Sequence, residues 1–145
     1  MMDTKFSSAI HMLILISEAE TPMTSEEIAV SVGTNASYIR KVTGLLKKSG
    51  IIESRQGASG CRLLIRPADL TLYEVYRAVS ETEQVHVFDL HQNPNDRCIV
   101  GRHIRPVLTD VFRSIEEKAE QELKNTTLRD CMDRMQGEIE RSGEQ

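Results

Sequence analysis

Apolar residues recur at helical spacing along most of this chain, interrupted by one short stretch of strand-like pattern and one long stretch with no period. From Lys5 to Ser17, the residues Phe6, Ala9, Ile10, Leu13, Ile14 and Ile16 form a stripe too broad to leave in water. This helix is therefore predicted to be core. His11 and Met12 lie within it, and a lone histidine in that setting reads as a packed or half-exposed side chain rather than a ligand. Glu18 to Met23, containing Pro22, connects it to the next element.

That next element carries the most local information. Thr24-Ser25-Glu26-Glu27 is a capping box, with the threonine hydroxyl and Glu27 each satisfying a backbone N–H of the other. It opens a short helix with Ile28, Ala29 and Val32 as apolar positions. Gly33 supplies a tight turn, and Asn35 can cap a second helix. On that second helix Ile39, Val42, Leu45 and Leu46 make a buried side. Ser37, Tyr38, Arg40, Lys41, Lys47 and Lys48 are predicted on the free side. Gly50 ends it. Ile51–Arg55 and Cys61–Arg66 then read as two strands around the loop Gln56-Gly57-Ala58-Ser59-Gly60. Leu63 and Ile65 are predicted inward, with Arg55, Arg62 and Arg66 at the surface. Two helices about a glycine turn followed by a hairpin make a winged helix-turn-helix.

Pro67 ends the second strand, and Thr71-Leu72-Tyr73-Glu74 is a second capping box. It opens a helix through Ser80, with Leu72, Val75, Tyr76 and Val79 inward. Periodicity disappears from Glu81 to Gly101, where Asn93-Pro94-Asn95-Asp96 marks a turn. A long helix is predicted from Arg102 to Leu123, with Pro106 in its first turn. Ile104, Leu108, Val111 and Ile115 follow steps of four and three, the spacing of a helix-to-helix seam, and Phe112 lies beside them. Thr127-Leu128-Arg129-Asp130 opens a final short helix carrying Leu128, Met132, Met135 and Ile139, and residues 141–145 are polar. The fold class is thus mainly α with a small β-hairpin (α+β). Residues 1–80 are expected to form the winged domain, 81–101 a loop, and 102–145 a long helix that needs a partner, with a C-terminal helix.

Charge sharpens the picture. Residues 35–66 hold seven cations against the single acid Glu53, a net of +6 in a chain of −4, so the rest sums to −10. An acidic protein meets DNA only if its cations are gathered on one face, as they are here. Composition adds two points. At 145 residues and 39% hydrophobic, with no tryptophan, the chain fits one compact domain with an aliphatic core. The run Met12–Ile16 is too short to cross a bilayer, no secretory pattern precedes it, and a cytoplasmic protein is expected. Three cysteines at wide spacing, Cys61, Cys98 and Cys131, argue against a disulfide framework.

These residues resemble the Rrf2 family of bacterial winged-helix transcription regulators over most of the chain. The resemblance rests on Phe6-Ser7-Ser8-Ala9-Ile10-His11, on Thr34-Asn35-Ala36-Ser37-Tyr38-Ile39-Arg40-Lys41 and on Leu46-Lys47-Lys48-Ser49-Gly50-Ile51-Ile52. Ser54 to Gly60, Arg66-Pro67 and Leu72-Tyr73-Glu74-Val75-Tyr76-Arg77-Ala78-Val79 complete it. Where the family usually has Gly-Gly-Tyr, this wing has Ser59-Gly60-Cys61, a departure that bears on how the wing meets a groove. The resemblance implies a homodimer formed through the long helix at Ile104, Leu108, Val111, Phe112 and Ile115. It also implies binding to a palindromic duplex DNA operator.

Several Rrf2 proteins hold an iron–sulfur cluster on three cysteines in the loop before the long helix. Here that loop has Cys98 alone. His86, His91, Asp96 and His103 are possible ligands, but their spacing matches no metal signature, so no metal, cluster or other cofactor is expected. The chain looks like a branch with His91-Gln92-Asn93-Pro94-Asn95 and Cys98-Ile99-Val100-Gly101 in place of cluster cysteines. Cys98, near a helix N-terminus, Arg97 and Arg102, has the setting of a redox-active thiol. A buried, space-filling cysteine is the preferred reading.

The function this favours is a homodimeric DNA-binding regulator, and a repressor because no activating surface is evident. Asn35, Ser37 and Tyr38 would meet base edges, and Arg40 and Lys41 bases or phosphates. Arg55 and the wing backbone at Gly57, Ser59 and Gly60 would flank them. The alternative is a winged-helix protein-interaction module without specific DNA binding, which the +6 segment does not predict. No nucleophile–base pair, phosphate loop or carboxylate pair supports an enzyme.

Overall fold

The structure is a computed structural model and describes residues 4–54 and 60–144. Six helices and one hairpin follow in order: α1 Lys5–Glu18, α2 Ser25–Val32, α3 Ala36–Lys48, β1 Ile52–Ser54, β2 Cys61–Leu63, α4 Leu72–Ser80, α5 Ile99–Asn125 and α6 Leu128–Ser142. This is the winged-helix architecture expected, mostly helical with a two-stranded antiparallel wing.

Local chemistry sets the boundaries. The Thr24 hydroxyl accepts from the N–H of Glu27 while Glu27 reaches back, so both halves of the capping box form. Gly33 closes α2 in the left-handed region at φ 85, which a side chain would resist. Asn35 Oδ1 then accepts from the N–H of Tyr38 at 2.8 Å and starts α3. Thr71 caps α4 by accepting from the N–H of Glu74.

The core is aliphatic and joins all the winged elements. Met12 and Leu13 from α1, Ile39, Val42 and Leu46 from α3, Ile51 and Ile52 from the wing, and Val75 and Val79 from α4 are buried together. Each such side chain stabilises the fold by about 1.5–3 kcal/mol through area removed from water. Leu128 and Met132 of α6 enter the same core, so the chain's last helix returns to pack on α1. Backbone bonds fix this return: Leu128 N–H donates to Leu70 O at 2.8 Å, and Leu72 N–H to Thr126 O at 2.9 Å.

Three boundaries differ from the pattern in the sequence. The strands are shorter, pairing only Ile52 with Leu63, Glu53 with Arg62 and Ser54 with Cys61. Residues 64–66 turn away ahead of Pro67, which cannot extend a ladder. The final helix is fifteen residues rather than short, and Gly143 closes it at φ 77. The long helix begins at Ile99, so Pro106 lies in its interior rather than its first turn. Cys98 caps it in extended conformation, and the N–H of Arg102 closes the first turn on Cys98 O at 2.9 Å.

The segment after α4 lies along one side of α5. Glu116 accepts from the N–H groups of Val87 at 2.6 Å and Phe88 at 3.3 Å, and Arg105 donates to His91 O. Phe88 packs on Phe112 with ring centroids 5.1 Å apart. No α5 side chain is fully buried. Among the described residues, no helix is long and apolar enough to cross a membrane.

Candidate nucleic-acid interface

The outer row of α3 is polar and cationic. Ser37, Lys41, Gly44 and Lys48 follow one another at spacings of four and three on the exposed side, with Arg40 and Lys47 flanking them. The opposite side, Ile39, Val42 and Leu46, is anchored in the core, so the row is held rigidly outward. Asn35 is exposed, but its carboxamide oxygen is engaged in the cap.

The cations differ in what they already hold. Arg40 pairs with Glu26 of α2 at 3.4 Å. Lys47 donates to the Ser54 hydroxyl at 2.7 Å and so ties the end of α3 to the wing. Arg62 pairs across the hairpin with Glu53 at 2.5 Å, and Arg66 with Asp69 at 2.8 Å. Lys41 and Lys48 have no ion pair among the described residues and extend into solvent. In the sequence these cations look alike, and nothing there marks Glu26 and Ser54 as the partners of Arg40 and Lys47.

Tyr38 is the departure. Expected on the free face, it packs against the core instead, and its hydroxyl is buried with no hydrogen-bond partner among the described residues. The reason is angular: Tyr38 shares its side of α3 with Leu45, seven residues on, and that side turns inward. Spacing to Leu45 was the signal available in the sequence. Arg55, Gly57 and Ser59 lie outside the described residues. Gly60 sits at φ 109 against Pro22 and Met23, where a β-carbon would collide with Pro22. Its role here is to let the wing base approach the α1–α2 connection.

On α5, Val100, Val107, Val111 and Ile115 form an open stripe, each between 45% and 65% exposed. Ile104 and Leu108 are half-buried beside them. Phe112 points elsewhere, onto Phe88 of its own chain.

A winged domain with a rigid cationic α3, followed by a long helix, can now be compared with known proteins. Residues 2–134 match the profile of the Rrf2 family, described as iron-dependent transcriptional regulators. The chain belongs to the Rrf2 family. It is 42% identical over 135 residues to YwnA of Bacillus subtilis (strain 168), named as a candidate HTH-type transcriptional regulator, covering 93% of this chain and 99% of that one. A crystal structure described as a candidate DNA-binding protein superposes at TM-score 0.71 with 41% identity, over 88% of this chain and 98% of its own. T. potens IscR has the same fold at TM-score 0.68 and 21% identity, over 93% of this chain and 88% of its own. The chain is therefore a transcriptional regulator with a DNA-binding fold, and no enzyme family is indicated.

The iron in the family's description can be tested against the donors present. Cys61 is on β2, Cys98 at the start of α5 and Cys131 in α6. His86 is taken up by Asp89 at 2.6 Å. Among the described residues, no three His, Cys, Asp or Glu side chains converge as a metal site. These donors do not fit an iron–sulfur cluster. Cys98 itself is exposed, not the buried filler expected. The N–H groups of Gly101 and then Val100 stabilise its thiolate and pull the thiol below its usual range. Burial pushes Cys131 the other way.

Proposed function

We propose that this regulator is a homodimeric repressor that binds a palindromic duplex DNA operator in the cytoplasm. The observation that carries the reading is the outward row Ser37, Lys41, Gly44 and Lys48, fixed by the buried residues behind it. Such a helix presents N-terminal side chains to base edges in the major groove and cations to phosphates. Ser37 would meet base edges, Arg40 and Lys41 would reach bases or phosphates, and Asn35 sets the helix start. Arg55 and the loop to Gly60 flank them along the backbone.

Two copies would pair through Val107, Val111 and Ile115 with Ile104 and Leu108, while Phe112 supports that face from behind. Isologous pairing sets two α3 helices in two-fold register, which a palindrome mirrors. Repression follows from occupancy, since the bound dimer covers its site. A second element of the reading is redox control at Cys98, favoured by its exposure at the N-terminus of α5, where the N–H groups of Gly101 and Val100 pull the thiol below its usual range.

Enrichment from a random duplex library tests the central claim. An enriched inverted repeat, bound less tightly by Lys41→Ala, is the expected result. Failure to enrich any sequence, with wild-type protein folded, would favour the protein-interaction module instead.

A further inference from the structure

Glu26 and Glu27 share the first turn of α2, where the helix dipole favours carboxylates. Their uses differ. Glu27 closes the capping box on Thr24, while Glu26 reaches outward to Arg40 of α3, Oε1 to Nη1 at 3.4 Å. Both partners are well exposed, so the pair is weak and readily exchanged. Arg40 leans off the outer row of α3 toward α2, within ion-pair distance of that turn's acid.

In a docked helix-turn-helix, the first helix of the pair crosses the DNA backbone. The first turn of α2 therefore approaches a phosphate, and Glu26 stands there with the wrong sign. It also holds the guanidinium that would neutralise that phosphate. Carboxylate and phosphate compete for the same fork of N–H donors.

We propose that Glu26 competes with the DNA backbone for Arg40 and so weakens the sequence-independent part of binding. The exchange costs affinity on every duplex alike. Binding through the phosphate backbone is therefore weaker in absolute terms, by the same factor on any sequence. This inference rests on the DNA-binding reading above.

The test compares wild-type, Glu26→Gln, Arg40→Gln and the double variant by fluorescence anisotropy. The probe is a labelled random-sequence duplex of about thirty base pairs, enough for two half-sites, titrated across a salt series. Glu26→Gln is expected to tighten binding about three-fold at low salt. It should also steepen the log–log salt dependence by about one unit, since one more cation meets phosphate. In the Arg40→Gln background the gain should be smaller and the salt slope unchanged, because only the direct repulsion between Glu26 and phosphate is then relieved. Unchanged or weaker binding by Glu26→Gln, or an equal gain without Arg40, overturns the proposal. Glu26→Ala, checked for an unaltered melting temperature, must move the same way. If wild-type protein binds no duplex at all, the DNA-binding reading falls first; wild-type binding with a flat Glu26→Gln response overturns only the role of Glu26.

Discussion

His11 Nε2 of α1 and Ser31 Oγ of α2 lie 3.0 Å apart, joined by a hydrogen bond between helices twenty residues apart in sequence. The histidine is a strut, setting the helix-turn-helix on the core helix behind it. His11→Ala should lower unfolding stability by about 1 kcal/mol, the usual net worth of such a bond. Urea denaturation of His11→Ala, Ser31→Ala and the double variant measures it. If the two losses simply add, the bond contributes nothing to coupling.

How much of this was legible follows from the range of each interaction. The capping box at Thr24, the turn at Gly33 and the cap at Asn35 all act within three residues, and each forms as the sequence indicates. The aliphatic stripes also locate the core correctly, because burial is read directly from spacing. Long-range pairs were not legible. Nothing near Lys47 announces Ser54, and Glu116 takes up the amides of Val87 and Phe88 from 29 and 28 residues away. The start of α5 is hard to read because Pro106 imitates a first-turn proline, while the residue at the true N-cap, Cys98, is not one that marks helix starts. Tyr38 was misplaced since one turn of helix leaves its angle to the core ambiguous.

Two glycines on helices should respond oppositely to alanine. Gly137 in α6 has open space where a β-carbon would go, so Gly137→Ala should stabilise by about 0.5–1 kcal/mol through helix propensity. Gly101 in α5 has the same propensity to gain, but the Asn95 carbonyl occupies that space. Backbone must shift there. Gly101→Ala should therefore lower the melting temperature and displace the turn that sets Cys98. Thermal melts of both variants decide it, and a rise for Gly101→Ala would mean the turn is free to yield.

Thiol alkylation should separate Cys98 from Cys131. The backbone N–H groups of Gly101 and Val100 favour the Cys98 thiolate, whereas burial disfavours that of Cys131. The thiolate is the reactive form, so Cys98 should react well ahead of Cys131 near neutral pH. The sign with pH is fixed: the ratio is largest at low pH and narrows as pH passes the ordinary thiol range, where both ionise. Pulsed iodoacetamide labelling with peptide mapping at several pH values reads this ratio. A constant ratio would show that access alone governs the difference.

The open stripe on α5 gives the sharpest test of pairing between copies. Val111 is half exposed at the middle of α5, between Val107 and Ile115 on the same face. An isolated chain gains little from these side chains, because no α5 residue is fully buried within it. Val111→Asp should thus cost the folded monomer almost nothing, as exposed substitutions usually stay within about 0.5 kcal/mol. Across a two-fold interface the same carboxylate would face its own copy, buried and without a partner, a strongly destabilising arrangement. Light scattering after size exclusion should therefore move from a dimer toward the 16.4 kDa chain mass, with the helical circular dichroism signal intact. Operator affinity should fall in parallel, since each monomer then reaches one half-site. An assembly unchanged by Val111→Asp would place the contact between copies on another surface and leave the stripe to a different partner.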